Sequence, residues 1–205
     1  MSLKKDPFLI VYVLLLSIGT IIYFLGEHGD TVLWINRLHN PITDFLFKWI
    51  THLGDGIFFA IVIILLLIRN RRTGLIVLAM GLSQTLVVFI LKRLVFTGTP
   101  RPRTYFAEFE GITLHFVEGV KVHAYNSFPS GHTLTAFALA TFMALYLKNA
   151  RLAILFLLIA TLAGFSRIYL AQHFLIDVSV GSLLGVAIGY IFYRWHEKMQ
   201  SNRIA

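Results

Sequence analysis

Residues Ser166 to Asp177 read SRIYLAQHFLID, and they sit between two long apolar runs. The stretch places an arginine, a histidine and an aspartate where two membrane spans meet. On one continuous helix, His173 and Asp177 would stand one turn apart on the same face. The carboxylate would then take a hydrogen bond from one imidazole nitrogen, leaving the other free as base, nucleophile or ligand. Arg167, six residues before the histidine, brings a permanent charge suited to an anion.

Outward from this stretch the chain is strongly apolar. Of its 205 residues 57% are hydrophobic and 14% charged, and the mean hydropathy is +0.76. That excludes an ordinary soluble domain, and several runs approach the ~20 residues that cross a hydrocarbon core. The formal charge of +8 comes from short clusters beside apolar spans, which suits orientation in a bilayer and acidic head groups rather than nucleic acid. No cysteine is present, so disulfide and thiolate chemistry are excluded.

Six spans follow in order. Lys4 and Lys5 precede a run from Phe8 to Leu25, which is long and lacks a small-x-small cleavage site, so it reads as a retained first span rather than a signal peptide. From Pro41 to Leu53, Phe45, Phe47 and Trp49 alternate with Asp44 and Lys48, the pattern of a short amphipathic helix lying at the interface. His28, His39 and His52 in this region lack the spacing of a compact metal site and read as interfacial polar residues. Gly56 to Ile68 is a short second span and Gly74 to Phe96 a third. Thr97 to Phe128 is a long polar connection, in which His115 and His123 read as loop residues. Pro129 or Ser130 opens the fourth span, Leu152 to Phe165 is the fifth, and Phe174 to Tyr193 the sixth, with a polar tail after it. The fold class expected is all-α: one integral membrane six-helix bundle with a short interfacial helix, a single domain over residues 1–205.

Lysine and arginine placement orients it. With the amino terminus inside, Lys4, Lys5, Arg69, Arg71, Arg72, Lys148, Arg151, Arg194, Lys198 and Arg203 lie inside, and the other eight of the eighteen lie outside. Four or five of those eight are candidates for an anion site, and the inner loops are short, so the positive-inside rule favours both termini in the cytoplasm. Gly181, Gly185 and Gly189 form a stripe on the sixth span that predicts close packing against a neighbouring helix within the monomer.

This topology brings Lys92 to Arg103, Pro129 to His132, and Ser166 to Asp177 to the same outer surface. Pro129-Ser130-Gly131-His132 opens a helix whose unpaired N–H groups attract an anion. Lys92, Arg101 and Arg167 suit charge-assisted bonds to a phosphate. Two histidines, one oriented by Asp177, can divide phosphoryl transfer between attack and leaving-group protonation.

These three stretches resemble the signature of the type 2 phosphatidic acid phosphatase family, membrane lipid phosphatases related to glucose-6-phosphatase and the vanadium haloperoxidases. Pro-Ser-Gly-His matches at Pro129 to His132, and Ser-Arg, five residues, His, three residues, Asp matches at Ser166, Arg167, His173 and Asp177. The Arg-Pro of the first motif is present at Arg101-Pro102. Its lysine is eight residues away at Lys92, where the family has six, and a bulge at Thr97-Gly98-Thr99 would absorb the difference. The resemblance implies that His173 is a nucleophile forming a phosphohistidine, that Asp177 orients it, and that His132 is the general acid. It implies that Lys92, Arg101, Ser130, Gly131 and Arg167 hold the phosphoryl oxygens, with no metal and no cofactor. The implied partner is a lipid phosphate within the bilayer: undecaprenyl diphosphate, phosphatidylglycerol phosphate, phosphatidic acid or a lipid A phosphate. A bacterial inner-membrane protein with its site facing the outer side is expected. A phosphotransferase using the same intermediate, or a non-catalytic lipid-phosphate binding or transport protein, are the alternative readings.

Overall fold

The computed structural model describes residues 7–201. Lys4, Lys5 and Arg203, which entered the charge count, lie outside the described residues. Among those described, helices account for all regular structure apart from one isolated bridge between Pro100 and Tyr125. The helices are α1 (Pro7–Leu25), α2 (Asp30–Asn36), α3 (Pro41–Ile50), α4 (Gly56–Arg69), α5 (Arg71–Ile90), the single turn α6 (Pro102–Thr104), α7 (Gly131–Leu147), α8 (Ala150–Tyr169) and α9 (Leu175–Ser201). Six of them are the apolar helices of a membrane bundle: α1, α4, α5, α7, α8 and α9.

Helix starts are set by side-chain caps that take up orphan N–H groups. Asn40, Asp55, Asn70 and Asn149 cap α3, α4, α5 and α8 in this way. A turn of 3₁₀ helix over Thr51–Gly54 joins α3 to α4, and the two arms bend by 51°. α3 is the expected interfacial helix: Ile42, Phe45 and Trp49 are exposed along one face, while Asp44, Lys48 and Thr51 turn toward the protein.

The centre is α7. Its alanines and phenylalanines, with Thr133 and Thr141, are buried against α8, α9, α4 and α5. The glycine stripe of α9 makes this possible. A Cβ built at Gly181 would stand 2.6 Å from the carbonyl oxygen of Ser130, one at Gly185 2.5 Å from that of Leu134, and one at Gly189 would collide with that of Ala138. The two backbones therefore touch along three turns, as the stripe predicted. α1 lies outermost, burying Phe8 and Tyr12 and leaving Val13, Leu14, Ile18 and Ile21 exposed as a lipid-facing surface; the Tyr12 hydroxyl reaches Ser182 Oγ at 3.2 Å.

Two expectations change. The polar tail after Tyr193 is helical, because α9 continues to Ser201; Tyr193 and Arg194 both reach Glu197 at helical spacing. His173 and Asp177 do not share a helix. α8 ends at Tyr169, and α9 begins only at Leu175. Ala171 takes the left-handed conformation between them, with φ 51°.

Candidate active site

The break between α8 and α9 builds the pairing that a continuous helix was expected to supply. Asp177 is the third residue of α9, and its Oδ2 accepts from the Phe174 amide at 2.9 Å, reaching back over the helix start. The same oxygen lies 3.2 Å from His173 Nδ1 and accepts from Ser127 Oγ at 2.5 Å. Since a carboxylate only accepts, Nδ1 carries the proton of the imidazole and Nε2 keeps its lone pair. Nε2 has Arg101 Nη1 3.5 Å away. His173 is 2% exposed and still lines a cavity of about 460 Å³. Burial, reinforced by Arg101, Lys92 and Arg167, holds its pKa well below the ordinary histidine value, so the ring is neutral in the working range.

Arg101 is aimed by carbonyls. Its Nε donates to Tyr125 O at 3.1 Å, and Nη1 to the backbone and side-chain oxygens of Gln172 at 3.0 and 3.1 Å. Lys92 donates to Asn126 O at 2.8 Å and Ser127 O at 3.2 Å. The extra length of the first motif is taken up locally. α5 continues as a π-helical turn over Leu91–Val95, closed by the Phe96 amide on Leu91 O, and Gly98 turns the chain with φ 73°. Lys92 thereby faces the cavity and Arg93 is exposed.

Arg167, buried near the end of α8, donates from Nη1 to Thr51 Oγ1 at 2.5 Å. Its Nε is a buried donor without a partner among the described residues. Such a group is costly unless something fills it, and the cavity lies beside it. His132 and Gly131, in the first turn of α7, line the same cavity, where first-turn amides have no intrahelical partners. Ser130 is placed differently from the expectation. It is fully buried, its Oγ lies 2.8 Å from Thr133 Oγ1, and it caps α7 rather than lining the cavity. Its amide donates to Asp177 O at 3.0 Å, which ties the His132 turn to the start of α9. Of the eight expected site residues, His132, His173, Lys92, Arg101, Gly131 and Arg167 meet at the cavity, and Asp177 stands behind His173.

Residue type and spacing gave no sign of several contributors. Ser127 orients Asp177, Thr51 holds Arg167, and Gln172 holds Arg101. Lys48, Lys121, His52, Asp55 and His123 also line the cavity; His123 had read as an ordinary loop residue. Ser127 and Gln172 lie next to or within the motif stretches, and proximity was the one available signal. Lys48 and Thr51 are brought in by the bend after α3, which no local pattern encodes.

A buried neutral imidazole backed by a carboxylate and ringed by cations, in a bundle of apolar helices, is chemically equipped to receive an anionic group such as a phosphate. The chain belongs to the PAP2 superfamily, whose family model matches residues 72–201. It is an integral membrane lipid phosphate phosphatase of the metal-independent kind. The undecaprenyl-diphosphatase BcrC of Bacillus subtilis (strain 168) is 28% identical over 165 residues, 79% of each chain. Phosphatidylglycerophosphatase B of the same organism is 28% identical over 185 residues, covering 83% of this chain and 79% of the relative. The crystal structure of Aquifex aeolicus LpxE superposes with a TM-score of 0.70 at 27% identity, covering 82% of this chain and 94% of that one.

Proposed function

We propose that the protein hydrolyses a lipid diphosphate through a phosphohistidine on His173. The neutral Nε2 attacks the terminal phosphorus, and the bond to the bridging oxygen breaks. His132 gives that oxygen a proton, and the lipid phosphate remains in the bilayer. Water then attacks the phosphohistidine, its proton passes to His132, the N–P bond breaks, and inorganic phosphate departs. Lys92, Arg101, Arg167 and the Gly131 amide carry the charge that develops on the phosphoryl oxygens. The observation that carries the reading is the unpartnered Nε of buried Arg167 beside His173's cavity, a donor suited to a phosphoryl oxygen.

The choice of a diphosphate rests on a second tier of positive charge. Beyond the inner three cations the cavity is lined by Lys48 and Lys121, with His123 beside them as a neutral donor whose pKa burial and the neighbouring cations hold down, and the carboxylate among the lining residues is Asp55. A monoester needs only the inner tier, and a second phosphate gives the outer one a partner. The similarity to a relative named an undecaprenyl-diphosphatase points the same way. The site faces the outer side of a bacterial inner membrane, with both termini cytoplasmic; the balance of basic residues supports this.

Two measurements test the reading. Acid-labile phosphate should be trapped on wild-type enzyme, and on His132→Ala with an activated aryl phosphate. His173→Ala should trap none with any substrate, and label on that variant would overturn the assignment. Lys48→Ala with Lys121→Ala should lower kcat/KM for a lipid diphosphate by at least tenfold more than for the matching monophosphate. Equal losses would show that the outer tier does not read a second phosphate.

A further inference from the structure

A second cluster lies outside the cavity, where His39, Asp44 and His115 bring together one ligand-type atom each, all within 4.8 Å of one another. His39 follows α2, Asp44 is on α3, and His115 belongs to the long connection between α6 and α7.

The arrangement around His39 needs an explanation. Its Nε2 lies 3.1 Å from the carbonyl oxygen of Tyr169, which only accepts, so Nε2 must carry hydrogen. In a neutral ring Nδ1 then presents a lone pair, and it does so 2.6 Å from Asp44 Oδ1. That oxygen already accepts the Tyr169 hydroxyl at 2.5 Å. At this distance the two atoms share a hydrogen, and a bound cation would take the place of that hydrogen, the two ligand atoms moving slightly apart to hold it. His115 Nε2 faces the other carboxylate oxygen, Oδ2, at 3.1 Å. The approach of His115 is built by its own backbone: its amide donates to Asn36 Oδ1, and its carbonyl accepts from Asn36 Nδ2, both at 2.9 Å.

The geometry points to a divalent transition-metal site, of zinc type, ligated by His39 Nδ1, the Asp44 carboxylate and His115 Nε2. Two imidazoles and one carboxylate are the donor set that zinc prefers over calcium or magnesium. The supporting contacts are those that fix such ligands. A backbone carbonyl holds the far nitrogen of His39, and a phenol holds the carboxylate oxygen. His39 and Asp44 are mostly buried, while the His115 side chain is 51% exposed, so an ion and its remaining water ligands have a way in. The site lies apart from His173 and contributes nothing to phosphoryl transfer. It pins the 111–120 segment to α3, and that segment supplies Gly119 and Val120 to the cavity wall. Metal would therefore stiffen the wall of a site whose own chemistry needs none.

The test uses tag-free protein in detergent, stripped with chelator and titrated with zinc and with cobalt(II). Wild type should bind about one equivalent, give a visible cobalt d–d spectrum and melt at a higher temperature with zinc. His115→Ala, exposed and tolerant of truncation, should lose all three. Tyr169→Phe keeps the ring and should weaken binding by the roughly 10- to 100-fold that loss of a supporting contact costs. His52→Ala should bind like wild type, which separates this site from the nearby His52–Asp55 pair. Absence of saturable binding in wild type, unchanged binding in His115→Ala, or loss confined to His52→Ala would each overturn the proposal.

Discussion

His173 is the side chain on which the proposed chemistry turns, and its environment sets a pH dependence separate from turnover. The folded protein holds the imidazole neutral, with a pKa well below the ordinary value, through burial and three nearby cations. In the unfolded chain the ring takes a proton near pH 6.5. A depressed histidine therefore contributes stability that is fully present above about pH 6.5 and is lost as pH falls toward the folded value. The melting temperature in detergent should drop between pH 7 and pH 5, and the drop should be smaller in His173→Gln. An identical drop in both would mean that other groups carry the acid sensitivity. Carboxylates such as Asp55, held below their usual range by amide and histidine hydrogen bonds that outweigh burial, act at lower pH and do not confuse the window.

At the scale of elements, α7 and α9 are joined more tightly than any other pair, and the join is a catalytic matter. His132 stands on the first turn of α7 and His173 just before α9, so the acid and the nucleophile of the proposed mechanism keep their separation only while the two helices keep theirs. The Ser130 amide on Asp177 O fixes one end, and the glycine stripe fixes the rest. Gly185→Ala puts a methyl against the Leu134 carbonyl, a backbone obstacle that no rotamer relieves. It should cost roughly 1–3 kcal/mol, the usual range for overpacking, read as a lowered melting temperature with a fall in kcat. A neutral result would mean that the helices separate more easily than their contact implies. The stripe, the spans and the His–Asp pair could be read from the chain because periodicity and spacing are local properties. The π-turn that turns Lys92 inward could not, since its cue is a length mismatch rather than a residue type. Nor could the link from Arg167 to Thr51, which spans 116 positions and depends on the bend between α3 and α4. Ser130 shows the converse: its identity fits a phosphate ligand, and the tertiary structure uses its hydroxyl as a cap.

For the molecule as a whole, orientation decides which pool of lipid it meets. Cysteines placed singly at Ala107, beyond α6, and at Ala150, the first residue of α8, are both exposed in the fold. Ala107 should react with an impermeant maleimide from the periplasmic side of intact cells, and Ala150 only after the inner membrane is opened. Reaction of both from one side would invalidate the topology. The interfacial helix gives the arrangement a further meaning. α3 carries Ile42, Phe45 and Trp49 on its outer face and lends Lys48, with Thr51 just beyond its end, to the cavity. One rigid element thus sets both how deep the protein floats in the bilayer and how deep its anion pocket lies. A lipid diffusing laterally keeps its own phosphates at the same interfacial level. The encounter then becomes a search in two dimensions, with the height already matched before enzyme and lipid meet.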